Sequence, residues 1–411
     1  MKPLKLLFLL ILSFPASAQI QLGADIDGEA ANNRSGWSVS LSSDGTIIAI
    51  GAPYNDGNGS TSGHVRVYEY TSGSWSQLGA DIDGEAASDR SGFSVSLSSD
   101  GTVVAIGATR NAGNGNNAGH VRVYEYTSGS WTQIGADIDS EATGDVSGSS
   151  VSLSSDGTIV AIGAPYNDGT GTDAGHVRVY EDSSGTWVQL GADIDGEAAD
   201  DQSGCLVSLS SDGTILAVGA IFNDGNGSNA GHVRVYEDSS GTWVQLGADI
   251  DGEAAGDFSG YRVSLSSDGS TIAIGAPGNS GNGSYAGHVR LYEYTSGSWS
   301  QLGADIDGEA AGDRSGHSVS LSSDGTILAV GAIFNAGNGS NAGHVRVYED
   351  SSGTWVQLGS DIDGEAAGDW LGYSVSLSSD GTIVAIGARY NDGNGTDAGH
   401  VRAYSIPIPI C

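Results

Sequence analysis

The segment G-H-V-R recurs with its histidine at His64, His120, His176, His232, His288, His344 and His400, always 56 residues apart. A chain that repeats itself seven times at this period folds as seven copies of one unit. Each copy exposes an apolar face that only its neighbours can cover. The recurrence reaches far beyond those four residues. Ser35 to Tyr70 reads S-G-W-S-V-S-L-S-S-D-G-T-I-I-A-I-G-A-P-Y-N-D-G-N-G-S-T-S-G-H-V-R-V-Y-E-Y, and near-copies fill the chain.

One copy reads as four short strands. Val39 and Leu41 alternate with serines, the period of a strand. Asp44-Gly45 predicts a type I′ hairpin turn, which needs positive φ at both positions. Residues 46–52 are β-branched and nearly all apolar, as in a strand buried on both faces. Residues 64–70 form the third strand and 75–82 the fourth, with Gly-, Asn- and Asp-rich loops at 53–62 and 83–92. Nothing has a helical period. Seven units of four antiparallel strands predict an all-β fold, a seven-bladed β-propeller. The alternative is an open β-solenoid, and the chain ends argue against it. Residues 19–26 match only a fourth strand, and the chain stops after the third strand of the last copy. An N-terminal strand that completes the last blade closes the ring, whereas an open array leaves raw edges. A Trp opens the fourth strand at Trp75, Trp131, Trp187, Trp243, Trp299 and Trp355. The closing strand lacks it, so the seventh blade should be the weakest.

The first 18 residues read as a secretory signal: Lys2 and Lys5, the apolar run Leu6 to Leu12, and Ala16-Ser17-Ala18 before the cut. Cleavage there leaves 393 residues, one more than seven units of 56. The expected organisation is a signal peptide over 1–18, a propeller over 19–405 and a short tail over 406–411. The run is too short to span a bilayer, and no later stretch suits one. Loss of both lysines takes the net charge from −35 to −37. That charge excludes nucleic acid and anionic membrane as partners. It suits divalent cations, cationic partners or plain solubility in an extracellular, secreted or cell-surface setting. Cys205 and Cys411 cannot build a disulfide framework, and no Cys/His cluster has zinc spacing. Cys205 falls in a slot that other copies fill with Trp37, Phe93 or Tyr261.

With Ser91 to Ala108 (S-G-F-S-V-S-L-S-S-D-G-T-V-V-A-I-G-A) and the G-A-P endings at Pro53, Pro165 and Pro277, the unit resembles the FG-GAP repeat of the integrin α-subunit propeller. The resemblance covers all seven units. It implies an extracellular propeller that binds ligand through one loop face. In that family the turn between the first two strands often holds calcium on D-x-D/N-x-D-G-x-x-D. Here the turn is only Ser43-Asp44-Gly45, too few oxygens for the six to eight that calcium takes. Asp44 and its copies read as turn formers.

Strand parity puts the 53–62 and 83–92 loops on one face. The inter-blade loop carries Asp81, Asp83 and Glu85, repeated at Asp193, Asp195 and Glu197 and at Asp305, Asp307 and Glu309. These are candidate Ca²⁺ ligands or, alternatively, turn chemistry. The repeated His and the following Arg read as structural, the Arg pairing with a carboxylate within or between blades. Two loop positions differ most between copies: Arg34, Arg90, Phe258, Arg314 and Trp370 before S-G, and Tyr54, Arg110, Tyr166, Phe222, Phe334 and Tyr390 after G-A-x. Arg and aromatic residues are what binding hot spots favour. The expectation is a monomeric binding or adhesion module for an extracellular protein or carbohydrate ligand. The alternatives are a multivalent lectin-like or purely structural repeat. An enzyme is not expected, because the acids recur in every blade and no Ser/His/Asp set stands out.

Overall fold

The computed structural model describes residues 19–407, so the leader expected over 1–18 and Cys411 lie outside the described residues. Among the described residues there is no helix long and apolar enough to cross a membrane. Seven sheets make a β-propeller. In the first blade the strands are Ser38–Leu41, Ile47–Ala52, His64–Thr71 and Ser74–Gln77, each antiparallel to the next. A two-residue piece, Ile82–Asp83, pairs back onto His64 and Val65. The fourth strand expected at 75–82 is therefore broken. Leu78 N–H still bonds Val67 O, and residues 79–81 then leave the ladder at Gly79, whose φ is 76°.

The first hairpin also differs from expectation. Gly45 has φ 70°, but Asp44 does not have positive φ, so the turn is not type I′. Side chains widen it instead. Ser42 Oγ donates to Asp44 Oδ1 at 2.7 Å and accepts the Ile47 N–H at 2.9 Å. Asp44 Oδ1 accepts the Thr46 N–H at 3.0 Å and the Thr46 hydroxyl at 2.8 Å. Burial pushes the Asp44 carboxyl upward, yet these donors outweigh it and hold the group below the usual carboxylate value. Asp44 is a turn former, as its D-G context implies.

The core lies between blades. Ile48 and Ile50 pack with Ala385 and Val401 of the seventh blade, while Ala49 packs with Val104 and Ile106 of the second. Each second strand thus turns large residues to one neighbour and a small one to the other. Every interface joins a large side to a small side, which fills the gap between twisted sheets.

The serines of the first strand tie the blades around the axis. Ser40 Oγ accepts the Leu97 N–H of the next blade at 3.0 Å, and the bond recurs in all seven blades, ending at Ser376 with Leu41. At the narrow end a second ring is entirely backbone. Ser43 N–H donates to Ser99 O, Ser99 to Ser155, and so on until Ser379 donates to Ser43, at 2.7–2.9 Å. The third-strand edge is closed by the N-terminus. Ile20 pairs with Ser405, Gln21 with Tyr404, Ile26 with Val401 and Asp27 with His400. In the other blades the Trp indole crosses the seam: Trp75 Nε1 donates to Leu22 O and Trp131 Nε1 to Leu78 O, both at 2.8 Å. Gln19 holds the same position in the closing strand and donates to Leu358 O at 2.9 Å. The folded unit reaches one residue past 405, because Ile406 is buried and its N–H bonds Thr382 O.

Candidate functional site: the loop face and the axial mouth

The loops at 53–62 and 83–92 meet on one face. Ser91 N–H bonds Ser62 O at 2.9 Å and Arg90 N–H bonds Thr61 O at 3.2 Å, so the chain entering each blade is drawn over the loop of the blade before. This pull puts the residue before S-G in the left-handed region in every blade: Arg34 at φ 55°, Arg90 at 58°, Val146 at 59°, Gln202 at 53°, and Phe258, Arg314 and Trp370 at 56°. Glycine or asparagine would sit there without strain, and a β-branched or bulky residue is an outlier. None of the seven is Gly or Asn. Strain of this kind concentrates where side chains are held for binding.

The variable residues merge into one surface rather than seven. Arg314 lies 5.1 Å from the Phe334 ring. Phe334 meets Trp370 at 4.8 Å, and Trp370 meets Tyr390 at 4.7 Å, both edge to face. Arg34 lies over Tyr390 at 5.0 Å and Tyr54 at 4.3 Å, and Arg90 over Tyr54 at 4.8 Å. Rings and guanidinium groups therefore form one continuous run around one side of the mouth, from the sixth blade through the seventh and first to the second. Arg110, exposed, stands next to Arg90. Phe222 and Phe258 form a separate edge-on pair at 5.8 Å, and Tyr166 stands alone, 40% exposed.

Inside this arc lies a collar that sequence reasoning did not assign to the site. Phe93, Trp37, Tyr373, His317 and Tyr261 touch in succession, with ring centroids 4.9–5.3 Å apart. All stand three residues after the variable position, at the x of S-G-x, where comparison of the copies already shows disagreement. Ser149 and Cys205 are the small members of the set. Where they stand, a cavity of about 600 Å³ opens on the axis, with Arg90, Arg110, Tyr166 and Arg262 on its wall. Burial pushes the Cys205 thiol up to about 11, so it is an inert filler of that slot. Arg389 completes the group, 3.7 Å from the Tyr373 ring and 4.3 Å from Trp37.

The arginines sort by position. Seven, such as Arg122 and Arg178, belong to the repeated G-H-V-R, and each has a glutamate partner in the loop before its blade. The other six are Arg34, Arg90, Arg110, Arg262, Arg314 and Arg389. Among the described residues, all the carboxylate pairs of arginine belong to the first set. The six gather at the mouth, on aromatic rings or on the cavity wall. A chain of net charge −35 thus carries a compact positive patch.

The acidic candidates behave differently. The structure sends Asp81 and Glu85 to two different histidines. Asp81 lies 3.6 Å from His64 Nδ1 of its own blade, and Glu85 3.9 Å from His120 Nδ1 of the next. The Asp83 carbonyl accepts Arg122 Nη2 at 2.7 Å. Asp193 and Glu197 divide in the same way between His176 and His232, and Asp305 and Glu309 between His288 and His344. The Asp195 and Asp307 carbonyls accept Arg234 and Arg346. The Asn-Gly loop is held by local turn bonds, such as Gly57 N–H to Asn55 Oδ1 and Thr61 N–H to Asp56 Oδ1, both at 2.7 Å.

Fold and loops together define a seven-bladed propeller whose variable side chains gather on one loop face. The sequence profile of the FG-GAP repeat matches residues 24–68, 305–348 and 362–404. The chain carries FG-GAP repeats, in its first, sixth and seventh blades, and the blades between repeat the same strands. No curated protein sequence matches the chain. Among solved structures it is similar to a chain titled Kuenenia stuttgartiensis hydrazine synthase, with TM-score 0.56 and 13% identity over 89% of this chain and 94% of that one. At that identity the likeness is one of fold.

Proposed function

We propose that this protein is a secreted or cell-surface binding module that captures an anionic extracellular ligand at the axial mouth of its loop face. The continuous run of arginines and aromatic rings in contact, from Arg314 to Arg90, carries this reading. Each guanidinium can pair with a carboxylate or sulfate, and each ring offers a face for stacking. An acidic glycan uses both groups, because its sugar rings stack while its acid groups pair. The same patch sets the orientation of approach, since the rest of the acidic surface repels the ligand.

Titration with polygalacturonate and with a neutral polysaccharide of similar length tests this. The acidic polymer should bind and the neutral one should not. Arg90→Glu with Arg110→Glu should weaken binding at least tenfold, and added salt should weaken it further. Equal binding of the neutral polymer, or no effect of the double variant, overturns the reading. Binding of an acidic polypeptide in place of the glycan would keep the site and change the ligand class. A multivalent lectin with seven equal sites is less well supported, because the variable residues differ from blade to blade and share one arc. For the secretory reading, N-terminal sequencing of exported protein should begin at Gln19.

A further inference from the structure

We infer that the seven Glu–His–Asp clusters of the blades are binding sites for a borderline divalent metal ion of the Zn²⁺ type, independent of the axial mouth. In the third blade the imidazole of His176 lies with Nδ1 3.6 Å from Asp193 and 4.0 Å from Glu141. The same arrangement recurs at every blade, with Nδ1 to carboxylate distances of 3.6–4.0 Å. Ligand atoms this far apart suit an ion about 2.0–2.2 Å from each, the Zn–N and Zn–O range. They are too far apart for direct hydrogen bonds.

A second observation separates these clusters from ordinary surface acid. The histidines are 1–3% exposed. In four of them, His64, His120, His344 and His400, Nδ1 is buried and has no hydrogen-bond partner, and it faces the two carboxylates. A buried polar atom without a partner is costly unless something fills the gap. The carboxylates are held by their other oxygens. Gln189 Nε2 donates to Asp193 Oδ1 at 2.6 Å, and Arg178 lies 3.8 Å from Glu141 Oε1, so the remaining oxygens point at the imidazole. One nitrogen with two carboxylates, partly open to solvent, selects Zn²⁺ over Ca²⁺, which takes six to eight oxygens.

The geometry gives the ion a place in the architecture. Each glutamate comes from the loop entering a blade, the histidine from that blade's third strand, and the aspartate from beyond its fourth. In the seventh cluster the aspartate is Asp25, from the N-terminal strand, set against Glu365 and His400. That site exists only when the ring is closed.

Native mass spectrometry of the full chain at micromolar Zn²⁺ counts the ions directly. The expected result is seven per chain, unaffected by a large excess of Ca²⁺. Glu141→Gln, at a half-exposed side chain that the fold tolerates, should give six, and His176→Gln should also give six. Asp25→Asn should lose one ion and most of the Zn²⁺-dependent rise in melting temperature. No bound Zn²⁺, displacement by Ca²⁺, or an unchanged count in Glu141→Gln would overturn the proposal. Polygalacturonate binding should not change in Glu141→Gln, which keeps this result separate from that of the axial mouth.

Discussion

At each blade boundary a glycine faces a glycine. A Cβ added to Gly163, in the G-A-P of the third blade, would overlap the carbonyl oxygen of Gly204, in the S-G of the fourth. The two small residues of the motif are therefore one contact seen from two strands. Gly163→Ala should cost about 3 kcal/mol through forced separation of the blades. Gly185→Ala is the control. Its φ is 82° with open space around the added Cβ, so only the left-handed conformation is penalised, by about 1 kcal/mol. Urea midpoints should rank the two in that order. Residue by residue, legibility in the sequence tracked how local the cause was. Asp44 reads as a turn former because its partners Ser42 and Thr46 are neighbours in the chain. Its turn type was misread because the donors that widen the loop are side chains. The pairing of Glu85 with His120 was hidden, since it joins residues of different blades. The histidine's even spacing gave no sign of it.

At the scale of the element, the first strand shows what alternation alone leaves open. The period of Val39, Ser40 and Leu41 marks a strand facing two ways. It does not say that the polar side meets another blade. Ser152 Oγ accepts the N–H of Leu209, a buried residue, at 3.0 Å. Ser152→Ala should leave that N–H unpaired and lower stability by about 2 kcal/mol, read as a shift in urea midpoint. Ser152→Thr, which keeps the hydroxyl, should recover much of the loss. The same strand tolerates change one step away. Leu206 and Arg262 replace the serine that elsewhere bonds the next blade's glycine carbonyl, as Ser150 does to Gly204 O. The fourth strand was legible from the Trp that opens it, but its break at Gly79 was not, because the break follows from pairing with Val65 two strands' length away.

At the scale of the molecule, closure depends on the one seam where Trp is replaced. Gln19 supplies the hydrogen bond to Leu358 O but not the ring that Trp75 or Trp131 lays across its seam. Gln19→Trp should restore that contact and raise stability by about 1 kcal/mol, with a later onset of thermal unfolding. Closure was readable from the incomplete ends of the chain, since they complement each other. The axial mouth was half readable: the variable positions stood out, but their convergence on one arc required the ring.

The backbone circle from Ser43 through Ser99 to Ser379 has no first or last member. Ile20 lies opposite Ser405, so the first and last described strands meet at one edge of one sheet. The ring of described strands thus closes on itself at an outer strand. Joining Ile20 to Ser405 and opening the chain at the Ser239–Thr242 turn would give a circular permutant that keeps every strand pairing and loses only the bonds of that turn. What marks the seventh blade is its outer strand, which comes from the N-terminal segment and carries Gln19 in place of Trp, and a rearranged gene could place that seam on any side of the arc of arginines and rings.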